Sequence, residues 1–268
     1  MNILYTASSE PLVSDPQLYE YYEALMPRSR REKTAKLRSL SGRAESVAAW
    51  ALLTRSLTDS GLLSSPELPS FAELSYGVHG RPYMTHFSGL DFSLSHSHGR
   101  VMCIVSDEGR VSCDLEQLRP DAPIASISKR FFSPSEQKQL ASTDLSEEER
   151  KLLFFRIWTL KECILKGTGR GMNLSLTDFA FDLSGSLPKF TASTDAADGI
   201  PAIPDDSMPL SMFTFALFRE YELAGYACSA CLLPAALQSN DAHSKTPSAS
   251  PHQKILLPGE LTDISLAR

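Results

Sequence analysis

The sequence has no excess of positive charge, no apolar run long enough to cross a bilayer and no even set of cysteines. Each absence excludes something. A formal net charge of −6 makes the chain a poor general binder of nucleic acid, which needs a basic surface to neutralise phosphates. The most apolar stretch, Leu223 to Leu237, is broken by Gly225 and Pro234 and is too short to span a membrane. Met1 to Ala7 lacks the basic region and apolar core of a secretory leader, so a cytoplasmic location is expected. The five cysteines, Cys103, Cys113, Cys163, Cys228 and Cys231, lie mostly in apolar runs. They read as reduced, buried thiols rather than a disulfide framework. Cys228 and Cys231 form a CxxC, but no second ligand pair accompanies them, which argues against zinc.

What is present is an ordinary globular composition, 42% apolar and 22% charged over 268 residues, enough for one large or two small domains. Basic residues cluster at Arg28, Arg30, Arg31, Lys33, Lys36 and Arg38. Charge alone makes this a solvated helix face, although it is compatible with a compact anionic ligand. Met1 to Ala7 reads as a strand, and Ser14 or Asp15 can cap a helix with Pro16 in its first turn. Ala44 to Leu57 has apolar residues at helical spacing, with Gly61, Pro66 and Pro69 ending it. Leu90 to Ser95, Val101 to Val105 and Val111 to Glu116 read as strands, the last two joined by the turn Asp107-Glu-Gly-Arg110 into a hairpin. Ser133…Glu136 and Ser146…Glu149 have capping-box spacing, the second opening a long helix to about Lys166 that Gly167 and Gly169 close. Phe179 to Leu183, Met212 to Arg219 and Leu223 to Leu232 read as further strands. Helices followed by strands thus appear twice, giving an expected α+β fold with an N-terminal half at 1–106 and a C-terminal half at 107–235. The polar remainder, 236–268, reads as a disordered tail.

Four short segments can carry chemistry. Asp114 and Glu116, two apart on a strand, project to one face while Cys113 and Leu115 point inward. Two neighbouring carboxylates repel unless a cation or proton intervenes. Trp158, Glu162 and Lys166 form one stripe of a strongly apolar helix, with Lys161 beside it; charges there are costly unless paired or bound. Ser93-Leu-Ser95-His96-Ser97-His98 ends a strand before Gly99, where His96 can donate to a phosphate. The two histidines could also pair on zinc, but the acids available are hard oxygen ligands that suit Mg²⁺ better. Gly80-Arg81-Pro82 is a turn that lets a flat group approach the backbone.

In combination these segments resemble the 4′-phosphopantetheinyl transferase superfamily of the surfactin-synthetase-activating type. That family has, in order, Gly-Lys/Arg-Pro, Ser-His-Ser, Gly-x-Asp-x-Glu, Phe-Ser-x-x-Glu and Trp-x-x-Lys-Glu-x-x-x-Lys. They correspond here to Gly80-Arg81-Pro82, Ser95-His96-Ser97, Ser112 to Glu116, Phe132 to Glu136 and Trp158 to Lys166, and the likeness covers roughly residues 1 to 235. The resemblance implies two similar α+β halves related by a pseudo-twofold axis, with coenzyme A between them. It implies Mg²⁺ on Asp114, Glu116 and Glu162, and phosphate contacts from Lys161 and Lys166. Arg81, His96, Arg43, Arg30 and Lys33 would lie near the 3′-phosphate and diphosphate, beside Gly80, Pro82 and Ser95. The implied reaction moves 4′-phosphopantetheine from coenzyme A to a serine of an apo acyl or peptidyl carrier protein and releases 3′,5′-ADP. Glu162, or a water beside it, would take the serine proton, while Lys161 and Lys166 stabilise the leaving group. Ser112 replaces the family glycine and could crowd the diphosphate. The carrier is expected to dock on an apolar patch, with Asp121 to Phe132, including Ile124 and Ile127, as its place, and the enzyme is expected to act as a monomer, without nucleic acid or membrane. A metal-dependent phosphohydrolase and a non-catalytic nucleotide-binding protein are the competing readings.

Overall fold

The helix start signals in the sequence are used. Asp15 caps through its side chain onto the amides of Gln17 and Leu18, and Ser133 and Ser146 form complete capping boxes with Glu136 and Glu149. The computed structural model describes residues 1–62, 74–85, 87, 89–192, 207–235 and 262–266. Its elements are β1 (Asn2–Ser8), α1 (Glu10–Ser14), α2 (Pro16–Ala24), α3 (Arg28–Ala35), α4 (Leu40–Asp59), β2 (Leu74–Tyr76), β3 (Pro82–Met84), β4 (Asp91–Ser97), β5 (Arg100–Ser106), β6 (Gly109–Gln117), α5 (Ile124–Phe131), α6 (Pro134–Leu140), α7 (Glu147–Thr168), β7 (Phe179–Asp182), β8 (Lys189–Ala192), β9 (Leu217–Leu223), β10 (Tyr226–Pro234) and β11 (Thr262–Asp263). This is the mixed helix-and-strand α+β architecture expected from the sequence.

Two sheets form the centre, one ordered β11-β1-β5-β4 and the other β6-β10-β9. Alternation along the strands divides their side chains between three cores. Val101, Cys103 and Val105 pack outward against Val47, Ala48 and Leu52 of α4. Met102 and Ile104 face the other sheet's Val111, Cys113 and Leu115. On the far side, Ala227, Cys231 and Leu233 meet Leu160, Cys163 and Ile164 of α7. The layers therefore run helix, sheet, sheet, helix. All five cysteines are free and buried, and burial pushes the Cys228 thiol up to about 12, so the CxxC is packing.

The expected hairpin of Val101–Val105 with Val111–Glu116 does not form. Both edges of β5 are taken, by β1 and β4, and β6 pairs with β10 instead. Gly109 is where the chain changes sheet, and a Cβ there would lie 2.2 Å from the carbonyl oxygen of Leu233. The strand expected at Met212 to Arg219 is likewise split. Leu210–Phe215 is a 3-10 turn, β9 follows, and Gly225 at φ +78° makes the tight turn into β10.

The two sheets are joined at β4 and β6 by serine side chains rather than by a backbone ladder. The hydroxyls of Ser93, Ser95 and Ser97 accept the amides of Cys113, Leu115 and Gln117 at 3.2, 3.4 and 3.3 Å. Each pair is 20 residues apart, so the seam has a fixed parallel register.

The tail expected to be disordered returns to the fold at its described end. β11 pairs in parallel with Tyr5 and Thr6 of β1, Asp263 meets Arg100 at 2.9 Å, and Leu266 is 4% exposed within the α4 core. Residues 236–261 lie outside the described residues. Leu266→Ala is expected to lower stability by roughly 2–5 kcal/mol, the usual range for a buried leucine, as read by urea denaturation. An unchanged midpoint would mean that the segment does not dock in solution.

Candidate active site

β6 presents Ser112, Asp114 and Glu116 on one face, as the two-residue period requires. Ser95 donates to Asp114 Oδ1 at 2.7 Å and Ser97 to Glu116 Oε2 at 2.8 Å. The seam serines thus accept from the backbone of β6 and donate to its carboxylates. Ser112 is fully buried, with its hydroxyl 3.3 Å from where a Cβ on Gly167 of α7 would stand. It is not among the residues that line the cleft described below.

From the other side α7 brings Glu162 and Lys166, one turn apart. The Lys166 ammonium lies 2.7 Å from Asp114 Oδ1, 3.0 Å from the carbonyl of Cys113 and 3.4 Å from that of Leu94. Burial, the largest single effect, opposes its charge, but Asp114 together with Cys113 and Cys163 holds the ammonium above the usual lysine range. Glu162 is pushed up to about 7, by burial first and then by the charge of Asp114, with Lys166 opposing and Glu116 adding a little. Glu116 is also raised, by burial and then by Asp114. Glu162 thus feels the charges of both other acids, and Glu116 that of Asp114. Among the described residues no group of three His, Cys, Asp or Glu side chains forms a ready-made metal cage. Asp114 Oδ2, however, is buried with no hydrogen-bond partner. A buried acceptor without a donor, beside acids whose ionisation is opposed, suits a hard divalent cation.

Glu162 and Lys166 open onto a cleft of about 390 Å³ that Arg30, Gly80, Arg81, Pro82, His96 and Met172 also line. Arg81 is clamped by Asp91 at 2.5 Å and by the carbonyls of Lys166 and Val111, which ties the β2–β3 turn to β4, β6 and α7. The Nε atoms of Arg30 and Arg81 are buried without partners. A cationic cleft with two unsatisfied guanidinium nitrogens suits a polyanion.

Several expected contacts lie elsewhere. Lys161 is fully buried, 2.8 Å from Glu136 and donating to the carbonyls of Leu176 and Phe179 at 2.6 and 2.9 Å. Its three protons are used and none is left for a phosphate, which corrects the phosphate-contact and leaving-group roles expected of it. The reason is angular: one position before Glu162 on a helix is about 100° away, towards α6 and β7 rather than the cleft. Lys33 packs over the Tyr76 ring, 3.4 Å from its centroid. Arg43 donates to the carbonyl of Leu37. Neither lines the cleft, and Ser95 lies behind it on Asp114. Two residues that the motifs did not indicate matter here: Asp91, which holds Arg81, and Glu45, which holds His96.

Comparison with known proteins bears on the same elements. Residues 110–200 match the family model of the 4′-phosphopantetheinyl transferase superfamily. The 4′-phosphopantetheinyl transferase HetI of a Nostoc species is 36% identical over 142 residues, 52% of this chain and 59% of that protein. A 4′-phosphopantetheinyl transferase of Bacillus subtilis is 31% identical over 155 residues, 57% and 62% of the two chains. The 4′-phosphopantetheinyl transferase AcpT of Salmonella typhi is 38% identical over 109 residues, 40% and 55%. The matched stretches thus span 59%, 62% and 55% of these relatives' own lengths. The family-matched segment contains β6 from Arg110 onward, both capping boxes and the whole of α7, and with them three of the five motifs, so over those residues the chain is similar to the 4′-phosphopantetheinyl transferase superfamily.

Proposed function

We propose that this protein is a transferase that moves the 4′-phosphopantetheine arm of coenzyme A onto a serine of an apo acyl or peptidyl carrier protein, releasing 3′,5′-ADP. The observation that carries the reading is a cleft rich in cationic side chains, with unsatisfied guanidinium nitrogens, that is lined by Glu162 and by Lys166, whose ammonium meets Asp114 behind it. Asp114, Glu116 and Glu162 would hold Mg²⁺, whose charge, when bound, offsets that of the coenzyme's diphosphate. Arg30, Arg81 and His96 bind and orient the phosphates, so that the serine oxygen meets the β-phosphorus in line. Lys166, freed from Asp114 as the ligand arrives, stabilises the negative charge that collects on the departing 3′,5′-ADP. Glu162 takes the serine proton. The pseudo-twofold relation of the halves belongs to this reading, as does action as a monomer in the cytoplasm. Among the described residues no helix is long and apolar enough to cross a membrane. The carrier is read as docking over 121–132, where a shallow groove of about 860 Å³ is lined by Ala122, Pro123, Ile124 and Leu140.

Purified protein incubated with coenzyme A, Mg²⁺ and a panel of apo carrier proteins is expected to add the arm to at least one carrier, seen as a gain in intact mass that disappears when Mg²⁺ is omitted. Release of phosphopantetheine without any carrier would favour the phosphohydrolase instead. No reaction across fatty-acid, polyketide and peptide carriers would sink the transferase reading.

A further inference from the structure

We propose that Glu45 is a positioning residue that fixes the ring of His96, so that Nε2 faces the cleft and donates to a phosphate oxygen of the coenzyme. The proposal rests on the coenzyme reading above and adds to it a residue outside the five motifs.

Glu45 lies in the second turn of α4, 9% exposed among Ala44, Val47, Ala48 and Ala49. A carboxylate there is costly unless its oxygens are satisfied, and both are. Oε1 accepts the amide of Gly99 at 2.7 Å, and Oε2 lies 2.9 Å from His96 Nδ1. An ionised carboxylate only accepts, so Nδ1 holds a proton towards Glu45. The proton that Nε2 donates to the phosphate is a second one, which makes the ring an imidazolium held between carboxylate and phosphate. The bond also fixes the plane of the ring and leaves Nε2 on the opposite edge. His96 lines the cleft together with Arg30 and Arg81.

Support of the β4–β5 hairpin alone does not account for this arrangement. The hairpin turns through His98 at φ +46° and Gly99 at φ +86°, and one oxygen on the Gly99 amide would satisfy it. The second oxygen is spent on a side chain that is 46% exposed, which has no burial penalty to relieve. A half-exposed imidazole without such a partner is free to rotate about its side-chain bonds, and freezing that rotation before the ligand arrives is what improves binding. The carboxylate also couples the ring to the hairpin tip three residues on, so ring and turn move together.

The test combines two readouts. Nitrogen–proton NMR of the ligand-free parent protein should find His96 protonated at Nδ1, and Glu45→Ala should abolish that preference. Calorimetry with coenzyme A should find binding weakened by roughly 5–10-fold in Glu45→Ala, the size of one hydrogen bond. His96→Ala should weaken it at least as much, and the double variant no further than His96→Ala alone. Glu45→Gln, which can still hold the ring, should recover most of the affinity and serves in place of Glu45→Ala if that variant does not fold. An unprotonated Nδ1 in the parent protein would overturn the proposal whatever the ligand. Additive losses in the double variant, or undiminished affinity in Glu45→Ala, would overturn it as well. 3′-Dephospho-coenzyme A separates the phosphates: a loss confined to coenzyme A assigns Nε2 to the 3′-phosphate, and an equal loss for both ligands assigns it to the diphosphate. Failure of the parent protein to bind either ligand would instead remove the coenzyme reading, and the proposal with it.

Discussion

Glu162→Gln is expected to lower turnover by about 10²–10⁴-fold, the usual range for losing a general base, while coenzyme A still binds. The amide keeps the shape of the side chain and one oxygen but cannot accept a proton at neutral pH. Because Glu162 also stands among the acids proposed for the cation, the comparison belongs at saturating Mg²⁺, where weaker metal affinity no longer limits the rate. Its burial and the nearby charge of Asp114 already oppose ionisation, so the neutral amide should fold at least as well as the parent. Parent-like turnover in single-turnover carrier modification would end the assignment of Glu162 as base and pass that role to a water beside it.

Lys161→Ala should act on stability, with a loss of roughly 3–5 kcal/mol, the range for removing one partner of a buried ion pair. The deletion strands Glu136, whose carboxylate is fully buried and also accepts the amides of Ser133 and Phe181. It therefore links the cap of α6 to β7. Burial lowers the Lys161 ammonium from the usual lysine range, and Glu136 opposes that shift. Replacing both partners together, as Lys161→Met with Glu136→Leu, is expected to lose much less in urea denaturation than Lys161→Ala alone, since no uncompensated charge remains. If Lys161→Ala instead keeps full stability and loses turnover, the side chain reaches the ligand after all and the structural pair is not its role.

The difference between the two lysines of α7 marks how far the sequence could be read. The stripe Trp158, Glu162, Lys166 follows from helical period, and the structure places Glu162 and Lys166 on the cleft. Period also puts Lys161 off that stripe, but its partner in α6 is visible only once α6 and α7 pack. The capping boxes at Ser133 and Ser146 were legible because all their chemistry lies within four residues. The β5–β6 hairpin was misread because a polar Asp-Glu-Gly-Arg turn looks the same whether the chain folds back or crosses to another sheet. Competition for the edges of β5 decided that, and such competition is non-local. Glu45 stands 51 residues from His96, and Leu266 follows a long polar stretch, so neither has a local pattern that announces its place. The charged residues near the cleft were found largely through motifs, and those that support them were not.

The serine seam between β4 and β6 makes the spacing of the two sheets a property of side-chain size. In a continuous ladder the separation of neighbouring strands is dictated by the main chain and is the same for every sequence. Here three hydroxymethyl groups act as spacers, and two of them also aim the acids. A single codon change to alanine or threonine at position 93, 95 or 97 can narrow, widen or loosen the gap without disturbing the pairing inside either sheet. Because β4 lines the cleft and β6 carries two of the acids behind it, the placement of one relative to the other is open to stepwise adjustment by point mutation.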